Sequence, residues 1–381
     1  MNPFSSEMLL NENYVEPTHV QTISTSSNLL EEAYDFVLTI TNEMHENKKS
    51  LHKSILEANG NQFIITEAFD GFIAKAKKII DKFLDFIKKI FHKFIIMINK
   101  LVKSDKYIKK HKDEIGNFEK PFEIKGYKYT FIDSDSFPNI KAYDTYKSLV
   151  GEKHDDPLDT GDKLLKNINA TLDTSRQGLE DFYDSFRGTV MGTNSLTASE
   201  YNTELFEKFR NQESTKETLE ISNVEAMESL NRFLNYEKTV KRIEDYKKKV
   251  ERQYTNIKKE LKSLESGFEN NTFLFSDDQT KAVYTDAEKK VYASSDDDLK
   301  KKIDNASKCI IDLKINMIEK MCSIHAMAFS AKLTAAKECM NQDKTILYKA
   351  LKKSVSESTD VTLEEDDIPE SLDTLEVNSD N

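Results

Sequence analysis

The sequence predicts a mainly α-helical protein built from long helices. Three observations predict it. Apolar residues recur at steps of three and four over most of the chain, the spacing of one face of an α-helix. There are only ten Gly and six Pro in 381 residues, and no Trp, too few chain breakers for a loop-rich or β-sandwich fold. Lys and Glu fill the positions between the apolar residues of 223–266, the pattern of a coiled coil. The full expectation is long helices including a coiled-coil αα-hairpin, a small β-hairpin insertion, and disordered termini.

Residues 1–28 are rich in Ser, Thr and Asn and lack periodicity, so they are read as disordered. Asn28 can cap a helix from Leu29 to Ala58, with Leu30, Tyr34, Val37 and Ile40 on one side. Asn59-Gly60-Asn61 ends it, and Phe63-Ile64-Ile65 reads as a short extended link. Then comes the stretch from Ala68 to Lys103, with Phe69, Phe72, Ala76, Ile79, Phe83, Ile87, Ile90, Phe94, Met97 and Leu101 on one helical face. Its other face carries Lys75, Lys77, Lys78, Lys82, Lys88, Lys89, Lys93 and Lys100, broken by Asp81 and Asp85. The pattern runs on toward Ile115.

The period then changes. Phe122-Glu123-Ile124 and Tyr127 to Phe131, joined at Lys125-Gly126, read as a β-hairpin. A short helix near Ala142–Val150 precedes the turn-rich stretch from Asp155 to Gly161. Asp162 opens a helix with Leu165, Ile168, Leu172, Leu179, Phe182, Phe186 and Val190 in register. Thr197-Ala198-Ser199-Glu200 is a capping box, and Asn211 to Thr218 reads as a loop. From Asn223 to Ser266, Val240, Ile243, Val250, Tyr254, Ile257, Leu261 and Leu264 keep a heptad, with Lys247 the polar intruder. Gly267 stops this arm, and Thr272 to Ser294 is a linker. Asp296-Asp297-Asp298 then opens a second long helix, where the helix dipole favours acids. Its packing seam is Ile303, Ala306, Ile310, Leu313, Met317, Met321, Ala328, Ala331 and Ala335, and it is expected to fold back on the first arm. The domain map is therefore 1–67, an acidic segment; 68–118, the basic amphipathic helix; 119–218, a mixed region with the β-hairpin; 219–357, the helical hairpin; and 358–381, an acidic disordered tail.

Charge is unevenly placed on a chain of net −12. Residues 1–67 hold ten acids against three lysines, and 358–381 holds nine acids and no base, so the span between them is mildly basic. Cys309, Cys322 and Cys339 are an odd count within one helical region, which fits a reducing compartment and implies no disulfide framework. No secretory signal or membrane-spanning run is present in this sequence; the longest uncharged run in the basic helix, Phe94 to Asn99, falls far short of the ~20 residues a span needs.

Motifs of chemistry are missing: no phosphate loop, no GxGxxG, no GxSxG. Cys322 and His325 share a helix face, but two ligands do not make a zinc site, and core packing is the better reading. Asp155, Asp156, Asp159 and Asp162 lack calcium-loop spacing. The chain is therefore read as not an enzyme, with no cofactor and no metal. Its interaction face is Phe72, Phe83, Ile87 and Phe94 with Lys78, Lys82, Lys88, Lys89 and Lys93. A face of this kind packs on helices of the same chain in the plainest reading; the sharper readings are a membrane surface or nucleic-acid phosphates.

One short pattern recurs. Leu30-Glu31-Glu32-Ala33, Ile55-Leu56-Glu57-Ala58 and Ile65-Thr66-Glu67-Ala68 all read Leu/Ile-x-Glu-Ala, three within 40 residues where composition alone gives about one in the chain. Helical sequences rich in Leu, Glu and Ala supply a plain explanation. The pattern also resembles the cleavage sites of prohead proteases of large tailed bacteriophages, which trim internal and capsid proteins after Glu. The segment from Leu196 to Arg210 and the Lys/Glu arm after it are similar to helical virion structural proteins of such phages. That resemblance implies a non-enzymatic component of the head interior, assembled in the host cytoplasm, with other virion proteins, the protease and DNA as partners. It also implies proteolytic maturation, with cleavage after Glu67, before Ala68, favoured over Glu57 and Glu32, and release of the acidic segment. The alternatives are a membrane-surface protein acting through 68–103, or an intracellular adaptor that oligomerises through its coiled coil.

Overall fold

A computed structural model describes residues 29–58, 62–103, 105–126, 162–166, 168–170, 172–173, 217–267, 287 and 289–357. The expected disordered ends, the helices near 142–150 and 179–190, the capping box at 197–200 and the turn at 155–161 lie outside the described residues. Six helices and two strands organise what is described: α1 (Leu29–Glu57), α2 (Gln62–Ile98), α3 (Lys106–Lys110), β1 (Phe122–Gly126), β2 (Glu217–Ile221), α4 (Asn223–Leu234), α5 (Tyr236–Gly267) and α6 (Asp297–Glu357). The protein is mainly α-helical with one small antiparallel strand pair, as the periodicity predicts.

Four of the helices form a bundle, and their directions follow from paired side chains. Glu32 on α1 meets Lys89 and Lys93 on α2, while Glu43 meets Lys82, so α1 and α2 are antiparallel. Lys247 on α5 lies over the ring of Phe91, while Lys258 reaches Asp81, so α5 also runs against α2. Tyr246 stacks on Phe329 of α6 and Tyr254 meets His325, which makes α5 and α6 antiparallel. It follows that α2 and α6 run in the same direction. They pack directly on each other, and each packs on α1.

The packing explains the residues. On α2 the apolar stripe is so wide that three neighbours are needed to cover it, and Phe72, Ile73, Ile80, Phe83, Ile87, Ile90 and Phe94 are all buried. On α6 every residue from Met321 to Ala331 is buried, polar ones included. A helix can be covered all round only if its side chains are small or pliable, and this stretch alternates Ala, Ser and Cys with Met, Ile and Phe. Lys247, the intruder in the heptad of α5, keeps its stem in the seam; its ammonium sits 5.5 Å from the Phe91 ring centroid and 3.0 Å from Glu251.

The structure corrects the sequence reading in four places. The link at Phe63-Ile64-Ile65 is helical, because α2 already begins at Gln62; a β-branched run favours extension, but a long amphipathic helix propagates backward through it. β1 is present, but it pairs with Glu217–Ile221 from far along the chain, Ile124 opposite Leu219, and the first two residues of that strand, Glu217 and Thr218, fall in the expected loop; Tyr127 to Phe131 lies outside the described residues. The arm expected over Asn223 to Ser266 is two helices. Ser222 and Glu225 build a capping box ahead of α4, and Asn235 closes it with its backbone and side-chain N–H groups on the Asn231 carbonyl. Lastly, the nearest backbone neighbour of α5 is α2; α5 reaches its expected hairpin partner α6 through Tyr246 and Tyr254.

Candidate functional site

The face expected to meet partners is placed as follows. Phe72, Phe83, Ile87 and Phe94 are buried inside the bundle, so the apolar half of that face is occupied by the protein's own helices. The reason is complementarity within the chain. Phe83 packs against Tyr254 with the rings tilted and 4.3 Å apart, and Phe36 on α1 stacks on Phe86 at 4.4 Å. A membrane surface would find these rings only if α2 left the bundle. Among the described residues no helix is long and apolar enough to cross a membrane. The charged half remains outside: Lys78, Lys82, Lys88 and Lys89 are exposed and Lys93 is half-buried. Lys82 pairs with Glu43, Lys88 with Asp85, and Lys89 and Lys93 share Glu32. Acids of α1 thus answer part of the basic charge of α2.

At the centre of the bundle is a buried polar layer. The Tyr254 hydroxyl lies 2.7 Å from Nδ1 of His325, and the imidazole is 2% exposed. Burial holds the His325 pKa down to about 4, so the ring is neutral at ordinary pH and shares one hydrogen bond with the phenol at Nδ1. Burial likewise pushes the Tyr254 phenol and the Cys322 thiol up, so neither ionises in the physiological range. One turn away the Glu319 carboxylate accepts the Thr41 hydroxyl at 2.9 Å and the Ser323 hydroxyl at 3.3 Å, joining α1 to α6. These groups hydrogen-bond helices to one another; a thiol kept protonated and an imidazole kept neutral are suited to packing, as expected for Cys322 and His325. Cys309 is half-buried and Cys339 buried elsewhere on α6. Among the described residues no group of three or more His, Cys, Asp or Glu is placed to hold a metal.

Two further junctions were not visible in the sequence. Asp343 is fully buried, and Arg232 on α4 grips it with Nε at 3.2 Å and Nη2 at 2.8 Å while also donating to Ser229. Asp105 caps α3 through the Ile108 N–H at 3.1 Å, and its second oxygen accepts from Tyr348 at 2.9 Å and Lys344 at 3.1 Å. Burial first, then the bond to Asp105, raises the Tyr348 pKa. Neither acid stands out when its own stretch is read alone, Asp105 lying in Lys103-Ser104-Asp105-Lys106 and Asp343 in Asn341-Gln342-Asp343-Lys344; its cationic or phenolic partner lies more than a hundred residues away. Beside α4, Val224 and Met227 line a shallow depression with Gly116 and Asn231.

The three Glu-Ala bonds differ in setting. Glu32 is half-buried under its two lysines and Ala33 is buried, both inside α1. Glu67 is exposed but lies in the opening turns of α2, not in an extended link. Glu57 is the last residue of α1, exposed, next to Leu56, which is 78% exposed, while Ala58 across the bond is buried. Compared with known proteins, the chain matches no family model, no curated protein and no solved structure.

Proposed function

We propose that this chain is a non-enzymatic structural protein carried inside the head of a large tailed bacteriophage, and that a prohead protease trims it after Glu. The observation that carries the reading is the threefold Leu/Ile-x-Glu-Ala pattern, one copy of which, Ile55 to Ala58, falls where α1 ends with Leu56 and Glu57 in solvent. A protease binds its substrate extended, so a bond at a helix end costs less unwinding than one inside a helix. This order puts Glu57 first, Glu67 second and Glu32 last. A bundle of long rods whose centre is filled by its own side chains also suits a role in packing beside neighbours.

The cut has a further consequence. Leu30, Ala33, Val37, Ile40 and Met44 anchor α1 against α2 and α6. Fully burying each such side chain contributes roughly 1.5–3 kcal/mol, less for Ala. A chain cut at Glu57 therefore keeps α1 docked, and the acidic segment is not released while the bundle is folded.

Mass spectrometry of purified particles tests the proposal. The expected result is a mature chain beginning at Ala58, or at Ala68, with peptides from 33–57 still present under native conditions and lost after denaturant washing. A chain found only with Met1 as its first residue overturns the processing, and absence from particles overturns the assignment.

A further inference from the structure

We infer that the outer face of α5, together with the adjoining face of α2, is a binding surface for the phosphodiester backbone of double-stranded nucleic acid. The inference does not depend on the proposed particle location. It starts from the exposure pattern of α5. Lys238, Lys241, Lys248, Lys249, Arg252 and Lys259 are all exposed. At 100° per residue they fall within an arc of about 100°, along about 30 Å of helix. Among the described residues Asp245 is the one carboxylate inside that arc; the exposed Glu237 lies about 20° beyond its edge and Glu244 about 40° beyond, 2.9 Å from Lys248. The apolar side of the same helix is committed to the bundle, with Ile243, Val250, Tyr254 and Ile257 buried.

The neighbouring helix extends the surface. Lys258 bonds both oxygens of Asp81 at 2.6 Å and fixes α5 alongside α2. Helices packed this way lie about 8–10 Å apart, so the exposed Lys78 and Lys88 of α2 stand beside the first row, Lys88 with Asp85 at 3.8 Å. The chain's net charge of −12 comes from acids in 1–67 and 358–381; of those on α1, Glu32 and Glu43 meet Lys89, Lys93 and Lys82, on the side of α2 that faces α1.

Shape and chemistry select the partner. A convex ridge of about 30 Å matches roughly one turn of duplex, about 34 Å. Lysine is a point charge on a flexible stem, suited to phosphates and not to base edges. A membrane-surface helix needs large apolar side chains beside its lysines. Among the described residues the exposed large hydrophobic one on these two helices is Ile96, at the far end of α2.

The test is fluorescence anisotropy of a labelled DNA duplex of about 30 base pairs with the full-length protein. Half-saturation is expected between about 10⁻⁶ and 10⁻⁴ M. Affinity should fall about 100-fold between about 50 and about 200 mM salt, the loss for about four phosphate contacts. The triple variant K241E/K249E/R252E should lose tenfold or more and K241Q/K249Q/R252Q less, while K241R/K249R keeps wild-type affinity. The reversal K49E/K53E on exposed α1 positions should bind as wild type, and circular dichroism should report the same helix content for all. No binding at about 50 mM salt overturns the inference. So does equal loss in the α1 control, or wild-type affinity in the triple reversal. Co-flotation with phosphatidylserine vesicles without duplex binding makes the face a lipid surface and overturns it as well.

Discussion

The helices α2 and α5 look alike in outline, each with an apolar stripe and a row of lysines, yet they spend their charge differently. On α2 the acids of α1 come to the lysines: Glu32 holds Lys89 and Lys93, and Glu43 holds Lys82. On α5 the outward lysines face solvent, and the carboxylate that answers one of them, Glu244, comes from the same helix. The apolar sides differ in the opposite sense. That of α2 is wide and needs three helices to cover it, whereas that of α5 is a narrow seam. The lesson is that a basic amphipathic helix is not by itself an outward-facing device. What matters is whether the rest of the chain supplies acids for its lysines and rings for its apolar side.

The strongest way to break the comparison is at the point where the two helices meet. Phe83→Ala removes the ring that Tyr254 packs against and leaves a cavity at a fully buried site. Stability should fall by about 3–5 kcal/mol, read as a lower urea midpoint. A loss under 1 kcal/mol would mean the helices are not joined there.

The next test uses pH. The His325 pKa is held near 4 in the folded protein against 6.5 for a free imidazole, so the unfolded chain binds the extra proton first. Stability is therefore full above about pH 6.5 and declines as pH falls toward 4, by about 3 kcal/mol in all. Urea midpoints measured across that window should show the slope, and His325→Gln should flatten it. An unchanged slope in the variant would place the proton elsewhere.

The smallest effect sharpens the contrast in charge. Glu32→Gln removes the shared partner of Lys89 and Lys93, both partly in solvent. The cost should be about 0.5–1 kcal/mol, shrinking with added salt. A salt-independent loss would show that Glu32 acts through packing and not charge.

Local signals were legible in the sequence and distant ones were not. The start of α1 at Leu29 and its end at Glu57 follow from the periodicity and from Asn59-Gly60-Asn61 beyond it. The burial of Phe83, Ile87 and Phe94 follows from their spacing. The partner of β1 was not legible, since a strand's periodicity does not say which distant strand completes it. Gly126 reads as a turn glycine, yet it sits in β1 where a Cβ would come within 2.7 Å of the Gln342 side chain. The acids Asp105 and Asp343 gave no signal for the same reason: what makes each acceptable in the core is a residue far along the chain. Of the expected interaction face, Lys78, Lys82, Lys88 and Lys89 lie in solvent and the apolar half is turned inward.

The order in which the chain is made gives the long helix α6 a particular consequence. It spans 61 residues, about 90 Å, and both α1 and α2 pack against it. Thr41 waits for Glu319, 278 residues later. The first helices to leave a ribosome therefore cannot finish their core until nearly the last one has followed. Assembly is delayed to the end of synthesis and, by its high contact order, slow for an all-helical protein.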